Sequence, residues 1–111
     1  MTRKILGTSA PAATTWATLY TCPAEAHAEG ETLTVCNRGG STESFRVSVN
    51  VGGAAADGDT AAEYIYYDVD VATKDAFLRD FPVPLNDGDK VWVYASGANL
   101  TFTLTGSVGR S

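Results

Sequence analysis

Glu43-Ser44-Phe45-Arg46-Val47-Ser48-Val49-Asn50-Val51 is the stretch that decides the fold. Phe45, Val47, Val49 and Val51 fall on one face of an extended chain, and Ser44, Arg46, Ser48 and Asn50 on the other. Strand side chains alternate with a period of two, so this pattern calls for a strand with one face in a core. The alternation recurs on both sides of it. Residues 31–37 place Leu33 and Val35 in phase. Residues 63–71 place Ile65, Tyr67, Val69 and Val71 in phase, and residues 99–106 set Leu100, Phe102 and Leu104 against outward threonines. Residues 14–22 and 90–95 are rich in Thr, Val and aromatics, which favour a pleated, half-buried surface. Residues 74–81 read as a shorter strand, kept near a sheet edge by Pro82 and Pro84.

The intervals are turn chemistry. Pro23 closes one strand, Arg38-Gly39-Gly40-Ser41 and Ser96-Gly97-Ala98 are turns, and Asn86-Asp87-Gly88-Asp89 is a tight one. Residues 24–30 read as one helical turn at most, and residues 52–62 as a loop of Gly, Ala and Asp. The sum is an all-β fold. It is a single β-sandwich of roughly seven or eight antiparallel strands, with a jelly-roll or immunoglobulin-like Greek-key topology. Residues 1–13 contain Pro11 and many small residues and read as an extended N-terminal arm, in which only Lys4-Ile5-Leu6 can pair as a strand; residues 14–111 form the sandwich domain.

The 111 residues suit one domain and one modest core. Hydrophobic residues make up 44%, too many for a disordered chain, and charged residues only 19%. The net charge of −5 argues against nucleic acid and against anionic lipid as partners. No apolar run approaches the length of about 18 residues that a membrane span needs. Arg3 and Lys4 are followed by no long apolar segment, so no signal peptide is expected.

Catalytic raw material is scarce. His27 stands alone between Glu25 and Glu29, and their spacing does not converge three ligands on a metal. Asp57-Gly58-Asp59 and Asp87-Gly88-Asp89 offer hard oxygens that calcium could use, but Asp-Gly is also ordinary turn chemistry and the twelve-residue calcium loop is absent. Asp68 and Asp70 share a strand face, which a glycosidase pair could use, but they alternate with core residues. No nucleophile-elbow, P-loop or zinc motif is present. The expectation is a non-enzyme with no cofactor and no metal. If residues 14–22 and 31–37 form a simple hairpin, Cys22 and Cys36 lie about 16 Å apart, beyond the roughly 7 Å a disulfide spans. Two free thiols follow in that register; a different strand order leaves a bond open.

Aromatic residues supply the remaining candidates. Tyr64 and Tyr66 fall opposite Ile65 and Tyr67, and Trp92 and Tyr94 oppose Val91, Val93 and Ala95. Strands with large side chains on both faces are doubly buried or meet a partner. Exposed Trp16 or Trp92 could instead stack on a sugar. The residues expected to make protein contacts are Ile5, Leu6, Pro11, Thr14 and Trp16 in and beside the arm, and Tyr64, Tyr66, Trp92 and Tyr94 on the second aromatic face.

Several blocks also carry a resemblance. They are residues 10–15 (APAATT), 18–24 (TLYTCPA), 35–40 (VCNRGG), 64–69 (YIYYDV) and 89–95 (DKVWVYA). In this order and spacing the chain resembles small virion structural proteins of tailed bacteriophages, from about residue 10 to residue 104. The acidic segment 24–31 departs from that pattern, where basic or apolar residues are more usual. The resemblance implies a capsid decoration (cement) protein that stabilises the head shell, with the major capsid protein or other virion proteins as partners. It further implies a homo-oligomer, with a trimer favoured, located in the virion and assembled in the host cytoplasm. The alternatives are a tail or baseplate accessory protein and a carbohydrate-binding adhesion module.

Overall fold

The computed structural model describes residues 2–53, 59 and 63–110. Its strands are β1 (Thr2–Ser9), β2 (Trp16–Thr21), β3 (Ala26–Asn37), β4 (Glu43–Asn50), β5 (Tyr64–Val71), β6 (Ala76–Asp80), β7 (Pro84–Leu85), β8 (Lys90–Ala95) and β9 (Leu100–Arg110). A 3-10 turn, Val51–Gly53, follows β4, and there is no α-helix among the described residues.

The strands form two antiparallel sheets. One has the order β1-β9-β3-β6, with β7 also paired to β3; the other has the order β2-β8-β4-β5. The partnerships β1 with β9, β2 with β8, β3 with β6 and β4 with β5 nest the chain back on itself, alternating between the sheets. That nesting is the jelly roll, two Greek keys wound into one sandwich. It settles the choice between the two topologies that strand spacing alone left open.

The core lies between the sheets, built by the alternation read from residues 43–51. Phe45, Val47, Val91, Val93, Leu33, Val35, Phe102 and Leu104 are fully buried. Phe45 of one sheet meets Phe77 and Phe102 of the other edge-to-face, with ring centroids 5.1 and 5.8 Å apart. Such pairs add to the burial of the rings themselves.

Four expectations change. The segment read as an arm is an edge strand, because Thr2 to Ser9 pairs with β9 from Val108 to Phe102. A bulge at Leu6 turns that side chain onto the core, and a Cβ at Gly7 would overlap the Leu19 carbonyl oxygen. β1 is therefore packed against β2 as well as paired to β9. Residues 26–30 are not helical but the first half of a long β3, held by β9 and β7. β4 ends at Asn50, so Val51 leaves the apolar phase and is 76% exposed. β2 and β3 lie in different sheets, so the simple hairpin used to place the cysteines does not form. Cys22 is buried, Cys36 is exposed, and both are free.

Polar side chains tie both ends of the sandwich. At one end, fully buried Asn37 donates to the Ser41 and Val71 carbonyls and accepts from the Gly39 amide. Buried Glu43 accepts from the Asn99 amide and side chain. At the other end, both carboxylate oxygens of Asp89 accept backbone amides, one from Gly52 and one from Asn86.

Candidate interaction face

The outer face of the β2-β8-β4-β5 sheet carries the aromatic residues. Cross-strand register sets them in rows. Trp16 lies opposite Tyr94, and Tyr94 opposite Arg46. The next row runs Thr18, Trp92, Ser48, Tyr64. Facing pairs of this kind are the unit of contact on a sheet.

β5 completes the site by breaking its own rhythm. Its pairing with β4 shifts twice, between Phe45 and Val47 and again between Val47 and Ser48. Tyr67 and Asp68 together oppose the single residue Arg46, and Asp68 takes φ 52°. A bulge with one residue in the left-handed region does this, and Asp tolerates that region better than most residues. The extra residues reset the phase of the strand. Val69 and Val71 still point inward, but Tyr66 now packs inward on Phe45, Phe77 and Phe81. Ile65 and Tyr67, expected inside, are 47% and 58% exposed.

The outcome is a closed cycle of five side chains. The Trp16 ring centroid is 5.2 Å from that of Tyr94 and 5.9 Å from that of Tyr64. Tyr64 meets Tyr67 edge-on at 4.9 Å. The Arg46 guanidinium lies over both Tyr67 and Tyr94, at 4.3 and 4.9 Å from their centroids, and closes the cycle. Trp16 and Tyr64 stand on the two outermost strands, whose backbones are about 14 Å apart at the usual strand spacing. Their rings lean across the middle strands to meet. On the row between them Ser48 is fully buried and Trp92 is 9% exposed. Neither Ser48 Oγ nor Trp92 Nε1 has a hydrogen-bond partner among the described residues.

Electrostatics fix the cycle's orientation. Arg46 Nε donates to Asp68 Oδ1 at 2.6 Å and Nη2 to Oδ2 at 3.3 Å, a two-pronged pair. That hydrogen bond holds the Asp68 carboxyl below its ordinary range and raises Arg46 further above neutrality. Burial, with a hydrogen bond from Tyr64 to Asp59 at 2.6 Å, pushes the Tyr64 phenol up to about 12.

Of the residues expected to make contacts, Trp16, Tyr64 and Tyr94 are in this cycle. Trp92 lies on the same face but buried. Tyr66 is in the core for the reason given by the bulge. The others are not brought to this face: Ile5 is exposed on β1 and Leu6 turns inward, while Pro11 is buried and Thr14 is exposed in the link to β2. Arg46 and Tyr67 were not among the expected contacts, and Asp68 was weighed only as half of a carboxylate pair with Asp70. Arg46 was already on the outward phase of residues 43–51, and an Asp in the middle of an aromatic strand was the available sign of a bulge.

No cluster of three metal-ligating side chains occurs among the described residues. Asp89 spends its carboxylate on the turn, and Asp57 and Gly58 lie outside the described residues. Sugar stacking needs an open tryptophan face. Trp16 is wedged between two tyrosines, and Trp92 is buried with Lys90 Nζ 5.7 Å from its ring centroid. Burial is the leading cause that raises the Cys22 thiol pKa, with Asp89 and Asp87 adding to it, which makes Cys22 a poor nucleophile.

No family model matches the chain, and no curated protein matches it. Solved structures do. The chain is similar to one in a structure of infectious bursal disease virus, Gx strain, with TM-score 0.54 and 11% identity over 94% of this chain. A structure of the Gt strain gives TM-score 0.53 and 12% identity over 96%. The chain spans about a third of the length of those viral chains, 32% and 30%. At such identity the likeness is one of fold.

Proposed function

We propose that the chain is a non-catalytic structural protein of a virus particle, and more specifically a decoration protein on the head shell of a tailed bacteriophage. The observation that carries this reading is the jelly-roll order of the two sheets. Viral capsid domains use this architecture repeatedly, and two solved chains similar to this one in fold come from structures of a virus. The blocks of residues resembling small phage virion proteins supply the finer assignment. A decoration protein needs a rigid body and contact surfaces, and the aromatic cycle around Arg46 is such a surface. Aromatic residues and arginine are the side chains that dominate contact energy in protein interfaces. Its partner is the major capsid protein or another virion protein, and its place is the assembled particle.

The test is co-sedimentation with undecorated shells. The intact chain is expected to bind, and Tyr67→Asp with Arg46→Glu to bind at least about tenfold less tightly while melting cooperatively. Equal binding by the double variant overturns the aromatic face as the contact. Gold labelling of intact particles that marks only the tail overturns decoration in favour of a tail or baseplate role.

A further inference from the structure

The first strand is held at one edge of the molecule by a single ladder and a short link. β1 ends the β1-β9-β3-β6 sheet, and its paired neighbour is β9. The ladder joins seven residues of β1, from Thr2 opposite Val108 to Ser9 opposite Phe102. The buried core runs in sequence from Leu19 to Leu104, and Leu6 is the side chain of β1 packed against it. Residues 10–15 then carry the chain across to β2 in the other sheet. Pro11 in this link is buried, and residues 12–15 are exposed. Thr14 takes φ 54°, and it is the one β-branched residue with positive φ among the described residues. A β-branched side chain is crowded by its own backbone in that region. The Thr14 amide donates to the Ala95 carbonyl at 2.8 Å, and its hydroxyl to the adjacent Ala13 carbonyl at 2.7 Å.

We infer that β1 exchanges between two copies of the chain, each donating its first strand to the β9 of the other. The first reason is the link. A short hinge under strain invites exchange, because straightening it releases the strain. Ala10 precedes a proline and is biased toward extended backbone, and Thr14 and Thr15 are strand-forming residues. Six extended residues reach about 20 Å, roughly twice the spacing of packed sheets, so the straightened link carries β1 clear of its own β9. The second reason is complementarity. The exchanged strand meets a surface it already fits: the same ladder on β9, the same seat for Leu6 and the same close approach of Gly7 to Leu19. No new pair of surfaces has to match. Opposing these are the entropy of association and the repulsion between two chains of −5. The exchanged dimer therefore forms at high protein concentration.

Thr8 and Thr103 face each other across the ladder. Directly paired strand residues have Cα atoms within about 5.5 Å, inside the span of a disulfide. A full chain carrying Thr8→Cys, Thr103→Cys and Cys36→Ser makes the test, since Cys36 is exposed and Cys22 is buried. It is held at high concentration near its melting temperature, cooled, separated by size and oxidised. Each fraction is then denatured without reductant. The dimer fraction is expected to run as two chains joined covalently, and the monomer fraction as single chains. Thr14→Gly removes the strain of the folded-back link. Its monomer is expected to melt cooperatively, with a dimer Kd raised at least about tenfold. A monomer under all these conditions overturns the inference. So does a dimer whose oxidised chains separate on denaturation, since each then keeps its own β1. An unchanged Kd in Thr14→Gly overturns it too, because the link then supplies no drive.

Discussion

Asp68 is the residue on which the aromatic face turns. It supplies the left-handed backbone of the bulge and the acceptor for Arg46. Its folded pKa lies below the ordinary 3.8, so its contribution is present above that value and lost as pH falls through the lower folded one. The melting temperature of the native chain is therefore expected to exceed that of Asp68→Asn at neutral pH, with the gap closing below about pH 4. Thermal melts across pH 2–7 check it. Tyr64 gives the mirror case. Its pKa is raised, so its contribution holds below the ordinary 10 and is lost as pH climbs toward about 12. Absorbance titration should show a late tyrosinate step, to which half-buried Tyr20 also contributes, and which Tyr64→Phe reduces by one residue. Ser48 is buried with an unpartnered hydroxyl, and Ser48→Ala is expected to cost nothing or to stabilise by about 1 kcal/mol. The identities and outward phase of Trp16, Arg46 and Tyr94 were legible in the alternation. The burial of Tyr66 was not, because the inserted residue at Tyr67 and Asp68 reverses the phase of the strand until the second bulge, at Ile65, restores it for Tyr64.

At the scale of elements, the strands expected within residues 14–22, 31–37, 43–51, 63–71, 74–81, 90–95 and 99–106 were found, while most of β1 and the first half of β3 were not expected to be strands. β4, β8 and β9 have strict phase and buried neighbours. β1 has glycine, small residues and charge, and becomes a strand only because β9 gives it a ladder and β2 packs against Gly7. The first half of β3 reads as Ala and Glu, a helical composition overridden by pairing on both sides. Deleting residues 2–9 should therefore do more than remove a contact: it should abolish the cooperative thermal transition seen by circular dichroism, since Leu6 and the β9 ladder lose their partners together. Asn37 joins β3 to Val71 on β5, in the other sheet. Asn37→Ala leaves two carbonyls and an amide without that partner. The expected cost is about 2–3 kcal/mol, or a melting temperature lower by about 10 °C.

Over the whole molecule, the layering follows from composition and spacing, but the strand order does not. Period-two patterns tell which side of a strand is buried and nothing about its neighbours; pairing the first strand with the last is a property of the assembled chain. That same topology governs folding. β1 meets β9 across almost the full sequence, so most of the loop-closure entropy is spent before those contacts form. Stopped-flow refolding is expected to show milliseconds to seconds rather than the microseconds of small helical proteins. The paired bulges of β5 have a last consequence, for storage rather than binding. An open sheet edge templates growth of cross-β fibrils wherever it is straight and regular. β5 is such an edge, broken at Ile65 and again at Tyr67 and Asp68. A chain kept at high concentration gains from an edge that cannot be extended by copying.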